Sequence, residues 1–221
     1  MADSILFYGG LIIFAISFLG LFRARWRRLA AMCIGAALIV MTVALVLPIH
    51  EFRSAARQSR LDDLMPVWQF GERHTIHVAA SPERVFAAIR NVRADEIAFF
   101  RTLATIRCLG RCRGETILNP SRQTPILDVA TKSGFHYLAD DPPRELVLGS
   151  FIAPRVAATM NFLVTPDGRG GSNVSTETRV FASTDSIGRR FAVYWRIIHP
   201  GSDIIRRGWL RAIKKRAETH G

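Results

Sequence analysis

Two charge-free apolar runs near the start of the chain, parted by only six residues, limit what the remainder can be. Ser4 to Phe22 is 19 residues and Leu29 to Ile49 is 21, and four of the six residues between them are arginine (Arg23, Arg25, Arg27, Arg28). A helix rises about 1.5 Å per residue, so each run can cross a hydrocarbon core of roughly 30 Å. The link leaves room only for a tight turn between antiparallel spans. The expected organisation is a transmembrane hairpin over 4–49 (spans 4–22 and 29–49), a juxtamembrane linker over 50–66 and a folded domain over 67–218.

Other readings of the first run fit less well. A cleaved signal peptide would carry a basic stretch that Met1-Ala-Asp-Ser4 lacks, and its apolar segment would be shorter. Helices of a soluble core rarely run this far without a charge. Ala30, Ala31, Gly35, Ala36 and Ala37 would let the two spans approach closely, and Tyr8 and Trp26 suit interface positions. The arginine link is expected in the cytoplasm, which puts both ends of the hairpin outside. The three arginines that follow the second span (Arg53, Arg57, Arg60) oppose this, four against three. The expectation is a two-pass protein of the bacterial cytoplasmic membrane with its domain on the extracytoplasmic face, the cytoplasmic face being the alternative.

The charge balance is basic, 30 Lys and Arg against 18 Asp and Glu, with lysine only at 132, 214 and 215. In a chain already anchored, acidic lipid headgroups are a simpler target for that excess than nucleic acid. Membrane lipids are therefore expected partners and nucleic acid is not, while nothing in the sequence identifies a protein partner. Arg206, Arg207, Arg211, Lys214 and Lys215 are the expected membrane-surface residues. Cys33 falls inside the second span. Cys108 and Cys112 are four apart, as a thiol pair or a local disulfide. No zinc spacing, phosphate-binding loop, dinucleotide fingerprint or nucleophile elbow occurs, so neither metal nor cofactor is expected.

Past the linker the elements follow a legible order. Phe70 to Ala79 alternates as a strand does. Ser81 then caps a helix with proline at its first position and a stripe of Val85, Phe86, Ile89 and Val92. A second helix is predicted from Asp95 to the stop at Gly110, and a short third one from Thr124-Pro125 to Gly134. The period then changes to two. Strands are predicted over 135–139, 144–153, 157–165 and 173–182, with turns at 140–143 and 166–171. A long final helix is predicted to bend at His199-Pro200-Gly201 and to be capped again by Ser202. Its first half presents Phe191, Tyr194, Trp195 and Ile198, its second Ile205, Gly208, Trp209, Ala212 and Ile213. Five strands and one long last helix make an α+β domain with a sheet curved around that helix.

The segment from Glu72 to Val92 (ERHTIHVAASPERVFAAIRNV) resembles the opening strand and helix of the START-like superfamily of polyketide cyclases, dehydratases and lipid transporters. STETRVFASTD, followed by RRFAVYWRIIHPGS, is similar to the closing strand and helix of its membrane-anchored bacterial members. The resemblance covers about residues 68 to 218 and implies a helix-grip domain with an apolar cavity between sheet and final helix. It also implies a lipid or other hydrophobic small molecule as the ligand. Its walls would be Leu146, Leu148, Met160, Phe162, Val164, Phe191, Tyr194 and Trp195, each of which reads more simply as plain core. The Tyr194 hydroxyl would be the polar handle, facing Met160 and Phe162. Glu177 and Arg179 would orient the ligand, or form a solvated ion pair. Glu72 and His74 share a strand face by the same two-residue spacing.

The expected function is a membrane-tethered, non-catalytic binding module. The alternatives are a cyclase- or dehydratase-like enzyme, with His74 or His77, Tyr137 and Glu177 converging on one cavity, and a partner domain whose cavity has closed.

Overall fold

The computed structural model describes residues 2–219. In chain order its elements begin with α1 (Ala2–Gly20), α2 (Arg27–Val46), β1 (Phe52–Arg53), α3 (Arg60–Leu64) and β2 (Val67–Trp68). Next come β3 (Phe70–Val78), α4 (Pro82–Asn91), α5 (Phe100–Arg107) and α6 (Ile126–Lys132). The strands β4 (His136–Asp141), β5 (Glu145–Ala153), β6 (Val156–Pro166) and β7 (Ser172–Ala182) lead to the 35-residue α7 (Asp185–Thr219). The chain forms two compact units. One contains the N-terminal residues to His50 with Asp185–Pro200, and the other Glu51–Thr184 with the chain from Gly201 onward.

In the first unit α1 and α2 pack along each other because small residues face the contact. A Cβ on Gly10 would stand 2.7 Å from Met41 Cγ and 3.2 Å from the Ala37 carbonyl oxygen. Ala30, Ala37 and Ala44, seven apart, are buried, whereas Ala31, Gly35 and Ala36 face outward. The first half of α7 joins this pair. Tyr8 donates to the Ile197 carbonyl at 2.6 Å, and the buried Arg196 guanidinium donates to the Leu45 and Leu47 carbonyls at 2.8 and 2.9 Å. Arg196 thereby satisfies carbonyls that the end of α2 leaves without intrahelical partners. Ala24–Val46 is long and apolar enough to cross a membrane, whereas the apolar helix Ser4–Gly20 is shorter.

The second unit is α+β. Its five-stranded antiparallel sheet has the order β3-β7-β6-β5-β4. Because side chains alternate along a strand, the register divides them cleanly between two faces. Leu146 and Leu148 of β5 stand opposite Phe162 and Met160 of β6, which stand opposite Thr176 and Thr178 of β7. These meet Trp209, Leu210 and Ile213 of α7 in a buried core shared with Val85, Phe86 and Ile89 of α4 and Ile126 and Leu127 of α6. The Phe162 and Trp209 rings are 5.1 Å apart. The face covered by the second half of α7 is the inner one, and the opposite face is the outer one.

Two local expectations change, the single helix over 95–110 and the cap at Ser202. The helix expected from Asp95 to Gly110 is broken into a 3-10 turn at Ala94–Glu96 and α5, with Phe99 between them in the left-handed region (φ 61). Pro200 lies inside α7, as the long final helix was expected to hold it, and the helix runs on past it because proline removes one intrahelical bond while the flanking turns carry on. Ser202 therefore caps nothing, and its hydroxyl goes to Glu72. Of the two states open to Cys108 and Cys112, the local disulfide is the one formed.

Candidate functional site

The two sheet faces use their polar residues differently. On the outer face, Arg179 of β7 is buried and makes four hydrogen bonds. It donates to Glu177 at 2.6 Å, Asp62 at 2.7 Å, and the Ser54 hydroxyl and Met65 carbonyl at 2.9 Å each. Its guanidinium also stacks 3.9 Å from the Trp68 ring centroid. Two strands away, the fully buried Glu145 accepts from the Arg60 backbone at 2.7 Å and from Asn161 at 2.7 Å. Burial alone would raise the Asp62 carboxyl, but Arg179 and the Gln58, Ser54 and Ser59 donors outweigh it and hold Asp62 well below the usual carboxylate range. These bonds fasten residues 51–68 onto the sheet, where a linker was expected. Arg179 spends its bonding on that task, and Glu177 pairs with Arg179 and lies 3.9 Å from Arg73 of β3.

The inner face carries a polar patch inside an apolar surround. Glu72 and His74 of β3 stand opposite Thr178 and Thr176 of β7. From α7, the Ser202 hydroxyl donates to Glu72 Oε1 at 2.5 Å, and Arg206 Nε lies 3.8 Å from the same oxygen. Asp203 Oδ1 is 3.4 Å from His74 Nε2, and Arg207 holds both Asp203 oxygens, at 3.1 and 2.9 Å. Arg206 was expected on the membrane-facing side with its neighbours. Instead its side chain is only 13% exposed and reaches Met160 Sδ at 2.8 Å. Burial lowers its affinity for its proton from the ordinary value, and the charge of Glu72 opposes that shift. The Oγ1 atoms of Thr176 and Thr178, Trp209 Nε1 and His74 Nε2 are all buried without a hydrogen-bond partner.

The sequence-derived site residues therefore divide three ways. Leu146, Leu148, Met160, Phe162 and Val164 lie together on the inner face, packed as core. Glu177 and Arg179 lie on the outer face. Phe191, Tyr194 and Trp195 belong to the first unit, where the Phe191 ring stands 5.4 Å from Tyr194 and 6.1 Å from Trp195. Of the surface cations, Arg211 and Lys215 are exposed and Lys214 donates to the His77 carbonyl at 2.7 Å. The catalytic convergence does not form. His77 pairs with Asp167 at 2.8 Å, Tyr137 is on β4 at the opposite sheet edge from β3, and Glu177 is on the outer face. Asp203 and the inward Arg206 escaped the sequence reading. The available signal was that both fall at helical spacing (203, 206, 210, 213) on the apolar stripe of α7.

No family model and no curated protein matches the chain. Solved structures similar to it include the di-domain ARO/CYC StfQ of the steffimycin biosynthetic pathway, at 14% identity and TM-score 0.39 over 67% of this chain and 50% of that one. Norcoclaurine synthase of Thalictrum flavum is 11% identical, with TM-score 0.37 over 68% of this chain and 95% of that one. Protein MLL2253 of Mesorhizobium loti is 12% identical, with TM-score 0.37 over 68% and 99%.

Proposed function

We propose that the chain is a membrane-tethered, non-catalytic binding module of the bacterial cytoplasmic membrane. In this reading its START-like helix-grip domain holds a small amphiphilic or hydrophobic molecule against the inner sheet face. The observation that carries it is the set of partnerless polar atoms, Thr176 Oγ1, Thr178 Oγ1 and Trp209 Nε1, gathered in an apolar interior beside Met160 and Phe162. A buried polar group left unpaired costs about 1–3 kcal/mol, so interiors seldom keep several in one place unless something pairs them. A ligand with a polar end and an apolar body fits that combination. Tethering is supported by the large apolar side chains that both N-terminal helices turn outward, including Ile5, Ile16 and Leu19 of α1 and Met32, Ile39 and Val46 of α2. Two spans, an arginine link in the cytoplasm and an extracytoplasmic domain form the topology of this reading.

One observation favours a closed partner domain instead. Leu146, Leu148 and Phe162 are wholly buried against the second half of α7. Organic extraction of the full chain purified in detergent, followed by mass spectrometry, separates the two. The binding module releases a recurrent small molecule that the Thr176→Val/Thr178→Val variant retains poorly. A parent protein that releases none, or a variant that releases the same amount, favours the closed domain.

A further inference from the structure

Glu72 and His74 stand two residues apart on one face of β3, and Asp203 approaches them from α7 within the same unit. One ligand atom from each lies within 4.8 Å of the other two. His74 Nε2 is 3.4 Å from Asp203 Oδ1 and 3.8 Å from Glu72 Oε2. Ligands around a tetrahedral ion bound at about 2.0–2.1 Å stand roughly 3.3–3.4 Å from each other. The triad therefore sits at nearly the span such an ion needs, and small side-chain rotations close the rest.

A second observation points to a ligand. The His74 side chain is 9% exposed, and its Nε2, aimed at the two carboxylates, makes no hydrogen bond. The carboxylates are held from behind. Ser202 and Arg206 engage Glu72 on Oε1, its Oε2 lies 3.8 Å from His74 Nε2, and the half-exposed Arg207 clasps Asp203. Partners of this kind orient metal-ligating groups. The two arginines offset much of the carboxylate charge, which favours an anionic group at the ion's remaining position. The partnerless Thr176 and Thr178 hydroxyls stand across the strand from His74 and Glu72, on the same face.

We propose that Glu72, His74 and Asp203 bind a divalent first-row cation, with Zn2+ best suited to one imidazole nitrogen and two carboxylate oxygens. The site stands independently of the small-molecule reading above, because its three ligands come from this chain alone. The test is titration of the full chain in detergent, after chelator treatment, with Zn2+ alone and with Co2+ as a spectroscopic probe. The expected result is one ion per chain and a Co2+ absorption band typical of nitrogen and oxygen ligands. His74→Gln and Asp203→Asn should each weaken binding by at least about tenfold, while His77→Gln on the exposed edge changes nothing. Circular dichroism identifies any variant that fails to fold. Asp203, at the more exposed end of the triad, then carries the comparison. A folded parent that takes up no ion, or equal binding by the parent and the folded Asp203→Asn variant, overturns the site.

Discussion

At the scale of single residues, the same spacing on two strands has opposite outcomes. Glu72 with His74 and Glu177 with Arg179 both alternate two apart, and both pairs are visible in the sequence. Which face each pair occupies depends on contacts more than a hundred positions away, such as Arg179 with Asp62, and no local pattern encodes these. Arg179→Ala should lower stability by about 3–5 kcal/mol in urea unfolding, because it leaves Asp62 buried without its cation. A loss below about 1 kcal/mol would show that residues 51–68 are not fastened through it. Acid provides a second check. His77 first, then the Arg169 and Gly171 backbone donors, hold Asp167 down at about 2 from an ordinary 3.8. A carboxylate whose pKa is depressed by folding binds fewer protons folded than unfolded. Its contribution is complete above about pH 4 and disappears as the pH falls toward 2. His77→Ala should flatten the acid limb of the stability curve in that window, lowering stability above about pH 4 and leaving it nearly unchanged near pH 2; an unaltered limb would contradict the pairing.

At the scale of elements, α7 is where sequence and structure part most. Both halves of this helix carry an aromatic stripe at helical spacing, and periodicity cannot tell which surface a stripe meets. The second half packs on the sheet as its pattern predicts, through Trp209, Ala212 and Ile213. The first half, with Phe191, Tyr194 and Trp195, joins α1 and α2, whose apolar composition announces helices but not what lies against them. Tyr194→Phe should therefore leave ligand retention unaltered, whereas Trp209→Phe, which removes the buried indole N–H, should weaken it. The reverse pattern would return the site to the first half of α7. In the first unit, the Cβ of Gly10→Ala would be driven against Met41 Cγ and the Ala37 carbonyl oxygen, while that of Gly9→Ala meets nothing within 4 Å. The Gly10 variant alone should lower the melting temperature in detergent, and equal effects of the two would argue against the α1–α2 contact.

At the scale of the whole molecule, the outline was legible: an apolar N-terminal helix long enough to span a membrane, then five antiparallel strands and a long last helix. Arginine counts across the second run differ by only one, four against three, so sidedness is the least legible part of that outline. Arg169 sits in an exposed turn between β6 and β7, and Arg169→Cys should react with an impermeant thiol reagent in intact spheroplasts. Labelling only after lysis would place the domain in the cytoplasm. The central claim, that the inner sheet face binds a molecule rather than closing on itself, has a direct thermal test. The melting temperature of the Thr176→Val/Thr178→Val variant is compared with that of the parent, before and after removal of extractable small molecules. With the ligand gone, valine replaces two unpaired hydroxyls and should raise the midpoint by several degrees, at about 2–4 °C per kcal/mol. With the ligand present, the parent should be the more stable of the two. A valine variant more stable than the parent by the same amount in both preparations would contradict the account.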